Sequence, residues 1–586
     1  MAPLPEVLGY IGLVWGCVVV VVQTIGITQL FRNYSTKPPK PVSPALPRDK
    51  VPHVTILRPV KGLEPGLYDC LASSFHQAYP SERLTLHFCV SDPDDAALPT
   101  LRKLLKDFPK ADARIFIESE DPLLHGPDGN VNNVGPNPKI RNLSRAYREA
   151  KGDIIWAVDC NVWVSPGTLG RLVDRLCGYS QPGGPKVKPV KFVHQLPIVV
   201  DTVSSMAQQD GEGRALLSGA SITGSSDSSA AVHVPSSLLA RWRTHGGGRL
   251  EEQFMATTHA KFYCAINAVG VAPCALGKSN MFRKSHIDRV TDASRNPTLA
   301  GTSAASLPQG LDHFSYYLCE DHAIGDLLWR SPIKGFDNHG LAAGDLAVQP
   351  VAGMSVVAYW SRRVRWLRAR KWTVLAATLV EHAVESLVCN LYFSYGLTTV
   401  PFVHELTGIP QTWRAMGIAW LIGVTTWMAM DRVVFKVLYR GDTIEVNDGS
   451  EGPSSAATPR FARGFRHGGD EKRPFGEWFL GWLGREILAL PIWTWAVLLG
   501  GSVTWRGKRF RVRSDMTVVA IDPDTEADSD GSNYNDDETS EEEEEVASQR
   551  TTQRPGRRSG GPRSGSISSR SRSKNKSKRT SNRRKA

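Results

Sequence analysis

The sequence predicts an α/β protein: a mainly parallel, doubly wound sheet flanked by helices, with apolar membrane segments on either side of it. Three observations predict this. Strand-like and helix-like runs alternate from His53 to Asp159, the order that generates parallel sheets. Two of the strand-like runs end directly at aspartates, Asp92 and Asp159, where doubly wound sheets bind ligands beyond the strand carboxyl ends. Long apolar stretches bracket the domain, beginning with Leu8 to Leu30.

Leu8 to Leu30 carries no charged residue and centres on Val18 to Val22. A helix needs about 20 apolar residues to cross a bilayer. No small-residue cleavage site follows, so residues 1–31 read as an uncleaved signal anchor. Glu6 is the sole charge before the run, whereas Arg32 and Lys37-Pro38-Pro39-Lys40 follow it. Positive flanks stay cytosolic, which predicts a lumenal amino terminus and a cytosolic domain after the anchor. Residues 32–52 are a Pro/Lys linker.

The domain itself is predicted over residues 53–370. His53 to Pro59 reads as a strand and Leu67 to Phe75 as a helix. Leu84 to Val90 is a strand of alternating pattern that runs into Ser91-Asp92-Pro93-Asp94-Asp95. Leu98 to Phe108 has helical spacing, Arg114 to Ile117 is a strand, and the Gly/Asn/Pro-rich stretch 120–136 is a loop. Lys139 to Ala150 reads as a helix and Asp153 to Val158 as a buried strand ending at Asp159. A Gly/Ser/Asp-rich insertion occupies about 204–237 and is expected to be mobile. Glu252 to Asn267 is expected to be a surface helix and strand of the fold, with an interfacial segment leaning on lipid as the alternative. Cys319-Glu320-Asp321-His322 heads a helix. Arg362-Arg363-Val364-Arg365-Trp366 closes the domain just before the chain turns apolar again.

Three further apolar runs follow, Trp372 to Leu397, Ala415 to Leu438 and Trp478 to Trp505. They assign 371–512 to membrane helices, with a disordered linker over about 440–474. If all four apolar runs cross, the basic tail ends in the lumen, so one run is expected to be re-entrant or interfacial. Residues 513–586 are an acidic and then basic tail, disordered by composition because too little apolar surface offsets the ordering entropy.

The 586 residues carry a net charge of +12 and 9 cysteines. The charge suits an anionic membrane surface as well as nucleic acid, so it does not choose between them. The odd cysteine count, without Cys-x-x-Cys repeats, argues against a zinc motif and for free thiols in a reducing compartment.

The acids point to a sugar-nucleotide site. One carboxylate can hold the base or ribose. A second can hold a divalent cation on the diphosphate, since hard oxygen ligands suit magnesium or manganese. A third can deprotonate an acceptor hydroxyl. Arg362, Arg365 and Trp366 can neutralise a diphosphate leaving group and stack on a ring. Taken singly, each aspartate reads equally as a cap or turn residue, and the arginines as flanking positive charge. Their order and their nearness to the apolar runs favour the site.

On these residues the chain resembles the ceramide glucosyltransferase family, glycosyltransferase family 21, and its fungal members in particular. The family's three spaced aspartate motifs match Asp92 in Val90-Ser91-Asp92-Pro93-Asp94-Asp95, Asp159 in Ile155-Trp156-Ala157-Val158-Asp159, and Asp321 in Glu320-Asp321. Its (Gln/Arg)-x-x-Arg-Trp motif matches Arg362 to Trp366. Further matches are Leu57 to Gly62, Asn137 to Leu143, Val193 to Pro197, Gly277 to Met281, Arg485-Glu486 and Trp505 to Arg511. The resemblance implies a GT-A-like fold and an inverting transfer of glucose from UDP-glucose to the primary hydroxyl of ceramide. Asp321 is then the general base. Asp92 and Asp94 lie by the nucleotide, and Asp159 by the diphosphate and a magnesium or manganese ion. Lys139, Glu320 and His194 belong to the substrate site, and Arg362, Arg365 and Trp366 hold the diphosphate or acceptor. Cys160 and Asn161 follow Asp159 where an Asp-x-Asp pair is common, leaving one metal carboxylate there. The resemblance also implies a multi-pass Golgi or endoplasmic reticulum protein whose catalytic domain faces the cytosol. It implies ceramide in the bilayer as partner and no nucleic acid; homo-oligomerisation stays open. A processive polysaccharide synthase and a non-catalytic membrane adaptor are the competing readings. Arg at position 362 and the short apolar runs oppose the first, and the three aspartates oppose the second.

Overall fold

A computed structural model describes residues 3–127, 129–131, 133–202, 242–243, 246–447, 457–469, 473–505 and 508–521. The expected insertion at 204–237, parts of the expected linker at 440–474, and the expected tail beyond residue 521 lie outside the described residues; residues 513–521, expected to belong to that tail, instead include a strand at Val518–Ile521.

Helix α1 (Leu4–Tyr34) comes first. Strands β1 (Val54–Pro59), β2 (Leu84–Val90), β3 (Asp112–Ile117) and β4 (Ile154–Val158) alternate with α2 (Leu67–Ala72), α3 (Leu98–Asp107) and α4 (Pro138–Arg148). Helix α5 (Thr168–Cys177) leads into β5 (Val190–Asp201). After α6 (Gly247–Phe254) and α7 (Ala260–Val269) come β6 (Ser279–Arg283), α8 (Glu320–Arg330) and β7 (Asp337–Val351). The seven strands form one sheet in the order β3-β2-β1-β4-β6-β5-β7. Strands β1 to β4 pair in parallel, as alternation predicts. β6 runs antiparallel to both β4 and β5, and β5 pairs with β7 in parallel.

Successive residues of each strand feed opposite cores. Ile56, Phe88 and Trp156 pack beneath α3 and α5. Their neighbours Leu57, Cys89 and Ile155 pack against Ile140 and Leu143 of α4. With both faces covered, every residue of β1 and β2 is buried, which is why these strands read as nearly continuous apolar runs.

The expectation of a helix and strand over Glu252 to Asn267 is corrected: the segment is helical throughout, with a π-helical turn at Met255–His259 between α6 and α7. Thr257 has its hydroxyl bonded to the Gln253 carbonyl (2.6 Å), so its strand preference is overridden by local bonding and burial. Nor is the segment on the surface, since Phe254, Met255 and Tyr263 are buried.

Among the described residues two helices are long and apolar enough to cross a membrane, α1 and α11 (Trp413–Tyr439). The run expected at 372–397 is broken. A helix at Leu375–Val380 and a tight turn at Glu381–Val384 precede α10 (Ser386–Thr399). The last run forms α12 (Phe475–Trp493), which contains Arg485, Glu486 and Pro491.

These helices pack in alternating directions. Gly9 of α1 lies against Thr399, and Gly16 against Phe393. At Gly12 an added Cβ would lie 2.4 Å from the Tyr392 carbonyl oxygen, so α1 and α10 touch backbone to backbone there, as small residues permit in membrane bundles. The other end of α1 meets α7: a Cβ at Gly26 would lie 2.0 Å from the Lys261 carbonyl oxygen. Helix α11 returns alongside α10, with Gly423 beside Asn390, and its last residue, Tyr439, donates to the Val199 carbonyl of β5. Helix α12 lies across these sheet-side ends, with Gly481 against Gln253 of α6 and Trp493 Nε1 donating to the Thr378 carbonyl (2.7 Å). A buried ion network closes the junction. Lys261 pairs with Asp431 (2.5 Å) and donates to Gln23 (2.8 Å), while Arg485 pairs with Glu385 (2.5 Å) and with Glu486. Ionisable groups at such depth are costly unless paired in this way.

A three-stranded antiparallel sheet, β8 (Ser502–Trp505), β9 (Lys508–Val512) and β10 (Val518–Ile521), follows. Its Val503, Phe510 and Val518 pack on Leu318, immediately before Cys319-Glu320-Asp321.

Candidate active site

The strand order reverses at β1, whose neighbours β2 and β4 lead away on opposite sides. The carboxyl ends of β1 and β4 therefore flank the crevice where such sheets bind ligands. Arg58, near the end of β1, is fully buried. Its guanidinium donates to the carbonyls of Asp159 (2.8 Å), Val162 (2.9 Å) and Cys70 (3.0 Å), and to Ser74 Oγ (2.9 Å). One side chain thus pins the turn that carries Asp159.

Three segments converge on Asp159. The antiparallel pairing of β4 with β6 sets Val158 opposite Ser279, and Asp159 N–H donates to the Lys278 carbonyl (3.1 Å). Lys278 Nζ then reaches back to Asp159 Oδ2 (3.0 Å). From the first turn of α4, Lys139 Nζ pairs with Asp159 Oδ1 (3.0 Å) and with Glu320 Oε1 (2.9 Å) at the start of α8. Asn137 caps α4, its Oδ1 accepting from the Lys139 and Ile140 N–H groups. Its Nδ2 donates to the Tyr317 carbonyl (2.6 Å) and to Glu320 Oε2 (3.4 Å), tying the starts of α4 and α8 together.

Asp321 follows Glu320 and is half-buried. It stands beside Gly277, where a Cβ would come within 3.3 Å of Asp321 Oδ2 and 3.2 Å of Lys139 Nζ. Asp159, Lys139, Glu320 and Asp321 form the polar wall of a pocket of about 440 Å³ that is partly open to solvent.

Burial and charge pull these groups apart. Burial would raise the Asp159 carboxyl, but Lys139 and Lys278 outweigh it and hold it well below the usual range. Burial would lower the Lys139 ammonium, but Asp159, Glu320 and Asp321 hold its proton more firmly. Glu320 and Asp321 go the other way: burial raises both, and the attraction of Lys139 offsets it only in part. A carboxylate held ionised beside one poised to take a proton is the usual division of labour in acid–base sites.

The other expected site residues are spread more widely. Asp92 and Asp94 are exposed at the end of β2, with the Asp94 N–H donating to Asp92 Oδ1 (3.0 Å). Their neighbour Asp95 is structural, accepting from the Gly62 (2.9 Å) and Ala97 (2.8 Å) N–H groups. His194 is buried in β5, its Nδ1 2.5 Å from the Tyr263 hydroxyl. Burial and then His339 push its pKa well down, so it is a neutral histidine one strand away from the cavity-lining Asn280.

The arginine–tryptophan motif lies in α9 (Val356–Arg370). Arg362 pairs with Glu251 (2.9 Å) and lies 4.7 Å over the Trp366 ring. Trp366 packs against a core containing Phe254 and Met255, and Arg365 is half-buried between them on the helix. From the same helix Arg370 pairs with Glu381. It is half-buried near Cys319, and burial and then Arg363 push its pKa down to about 10. The Cys319 thiol lies 3.7 Å from Asp321 Oδ1.

Among the described residues no group of three or more His, Cys, Asp or Glu side chains is arranged to hold a metal ion. Asp159 offers oxygen donors of the right kind, but each oxygen already carries a lysine ammonium. It fits a cation as a single carboxylate ligand, with one lysine turned aside.

Arg58, Asn137, Gly277 and Lys278 fall inside matching stretches named above, but sequence reasoning gave them no role. Asn137 had a readable signal, an Asn cap before Pro at the first helical position. The role of Lys278 had none, because its place depends on the register of β6.

Comparison with known proteins identifies the family. The model of glycosyl transferase family 21 matches residues 13–206 and 305–518. A ceramide glucosyltransferase of Pyricularia oryzae is 52% identical over 534 residues, covering 91% of this chain and 98% of that protein. One of Gibberella zeae is 49% identical over 516 residues, covering 87% and 93%. Among solved structures, mannosyltransferase PcManGT from Pyrobaculum calidifontis, in complex with GDP-Man and Mn2+, is 14% identical. It covers 74% of this chain and 98% of its own with a TM-score of 0.35, too slight a likeness to carry an argument. With most of its length matched by one family model and about half its residues shared with full-length relatives, the chain belongs to glycosyl transferase family 21.

Proposed function

We propose that this chain transfers glucose from UDP-glucose to the primary hydroxyl of ceramide, with inversion at the anomeric carbon. The carrying observation is the half-buried Asp321 beside the Lys139–Asp159 pair at the carboxyl ends of β1 and β4. The relatives that share about half its residues bear the name ceramide glucosyltransferase, which supports the choice of donor and acceptor.

In this reading Asp321 accepts the hydroxyl proton as the ceramide oxygen attacks the anomeric carbon from the face opposite UDP. The new carbon–oxygen bond forms as the bond to the diphosphate oxygen breaks, and UDP leaves with the bonding electrons. Burial raises the Asp321 pKa, which makes it a stronger base than an exposed carboxylate. Lys139 and Lys278 supply positive charge where the leaving diphosphate gains negative charge. Asp92 and Asp94, exposed at the end of β2, are open to the nucleotide. Asp159 would hold a magnesium or manganese ion, which when bound would share in neutralising the diphosphate.

The same reading sets the chain in a Golgi or endoplasmic reticulum membrane. The alternating packing of α1 and α11, both long enough to cross, with the 14-residue α10 between them supports three passes, with α12 lying at the cytosolic face. The sheet is then cytosolic, and α12 is the interfacial run that the parity of four apolar runs calls for. A glycosylation acceptor inserted at 408–412 should be glycosylated and one in the tail should not; the reverse pattern contradicts this arrangement.

The activity is tested with radiolabelled UDP-glucose and short-chain ceramide in membranes containing the full chain. A single-sugar lipid is the expected product. A polymer, or labelled lipid no greater than in control membranes, overturns the proposal.

A further inference from the structure

A second pocket of about 440 Å³, partly open to solvent, lies at the sheet-side end of α11. Phe435 of α11, with Phe461 and Phe465 from the chain after it, lines an apolar side, whereas Arg432, Lys436 and Arg473 line a basic one. Pockets that hold small molecules combine apolar walls with a few convergent polar groups in this way.

The three cations are not equivalent. Arg473 is spent internally: it pairs with Glu252 (3.2 Å), which also lines the pocket, and donates to the Asp201 carbonyl (2.5 Å). Arg432 is only half used. Its Nη2 donates to the Arg473 carbonyl (2.8 Å), and its guanidinium lies 5.0 Å over the Trp478 ring. Its Nη1 is buried and has no hydrogen-bond partner among the described residues. A buried charged donor left without an acceptor is costly. Lys436 follows one turn later and is exposed. Like charges four residues apart share a helix face and repel each other. An anion between the two side chains relieves both costs.

The place of the pocket says which anion. Helix α11 is long and apolar enough to cross a membrane. Arg432 precedes its last residue, Tyr439, by two turns, about 10 Å along the axis, which is the depth at which lipid headgroups meet a crossing helix. Met430 and Val433 of α11 are exposed, as is Phe475 of α12, which stacks on Trp478. Apolar surface for acyl chains thus adjoins the basic side. Basic pockets at the ends of crossing helices hold anionic headgroups.

We propose that this pocket binds the phosphate of an anionic phospholipid, with Arg432 and Lys436 as its donors and the acyl chains along α11. The inference rests on α11 crossing the bilayer, and not on which sugar or acceptor the active site takes. The bound lipid clamps α11 to the sheet, because Tyr439 and Arg473 on the pocket wall already donate to the Val199 and Asp201 carbonyls at the end of β5. Phosphatidylcholine carries a phosphate too, but its quaternary ammonium is repelled by the two cations.

The test is the unfolding temperature of the full chain in detergent, titrated with phosphatidylserine, phosphatidylcholine or inorganic phosphate. A ligand that binds only the folded chain raises that temperature, and phosphatidylserine is expected to raise it more than either of the others. In Lys436→Gln the phosphatidylserine needed for the same rise should increase about fivefold, and in Arg432→Gln/Lys436→Gln the rise should vanish. Lys508→Gln, which removes an exposed charge on β9, should titrate like the wild type. An equal rise with phosphatidylcholine or inorganic phosphate, or equal weakening in Lys508→Gln, overturns the proposal. If the double variant does not fold, Lys436→Gln against Lys508→Gln decides. The glycosylation test at 408–412 reads the crossing of α11 by itself, so failure of that crossing and failure of lipid binding are told apart.

Discussion

Lys139 and Asp159 form a 3.0 Å ion pair that joins the first turn of α4 to the end of β4, and the same ammonium lies 2.9 Å from Glu320. One cation therefore holds together the helix that starts at Asn137, the strand that ends at Asp159 and the helix that begins with the candidate base.

Replacing Lys139 by Met removes that cation and leaves Glu320 and Asp159 facing each other with Lys278 alone. Loss of a positioned charge at a site of developing negative charge costs about 10²- to 10³-fold in turnover. Steady-state kinetics in membranes should show kcat falling by about that factor, with the chain still inserted and expressed.

The pH dependence follows from the directions of the shifts. Asp321 must be ionised to act as a base, so activity is lost as pH falls through its pKa. Burial raises that pKa, so the acid limb of kcat/KM should lie above the ordinary aspartate value of about 3.9. Lys139 opposes the rise. In Lys139→Met the protonated acid is favoured further, and the acid limb should move to still higher pH. A pH–rate profile of residual activity checks the sign; a shift to lower pH contradicts it.

Gly277 tests the closeness of the site. A methyl group there would meet Lys139 Nζ at 3.2 Å and Asp321 Oδ2 at 3.3 Å. Those are the ends of flexible side chains, so Gly277→Ala should fold normally and push the two charges out of register. A kcat reduced about tenfold or more with an unchanged unfolding temperature is the expected result, since small misplacements at the reacting centre are amplified in rate.

The junction of the apolar helices should behave as a buried ion network. Lys261 and Asp431 are both fully buried and 2.5 Å apart. Lys261→Met leaves Asp431 to Arg485 (3.8 Å) and the Trp482 indole (2.9 Å). Removing one partner of a buried pair costs about 3–5 kcal/mol, whereas replacing both by apolar residues is often neutral. Thermal unfolding in detergent should therefore show Lys261→Met strongly destabilised and Lys261→Met/Asp431→Leu largely restored.

Much of this was legible in the sequence, for physical reasons. The first four strands and their helices show because each is a short apolar run punctuated by Gly, Pro or Asp; Asp92 and Asp159 fall where such runs end, and Asp321 falls in the first turn of a helix. The antiparallel entry of β6 was not legible, and with it went Lys278, whose approach to Asp159 depends on strand register. The segment 252–267 was misread because its threonines and aromatics prefer strands, while burial beside α1 and α12 made it helical. Within the arginine–tryptophan motif the spacing was visible, but the partner of each arginine was not. Arg362 is taken by Glu251, and Arg370, beyond the motif, lies next to Cys319.

The central claim is that Asp321 removes the hydroxyl proton, and one paired measurement on Asp321→Asn tests it. Glucosylceramide formation from radiolabelled UDP-glucose is measured beside UDP affinity by calorimetry on the same preparation. General-base catalysis contributes about 10²- to 10⁴-fold, so turnover should fall by that factor while UDP affinity stays within about twofold. Wild-type turnover in Asp321→Asn, or an equal loss of turnover and UDP affinity, would contradict the account.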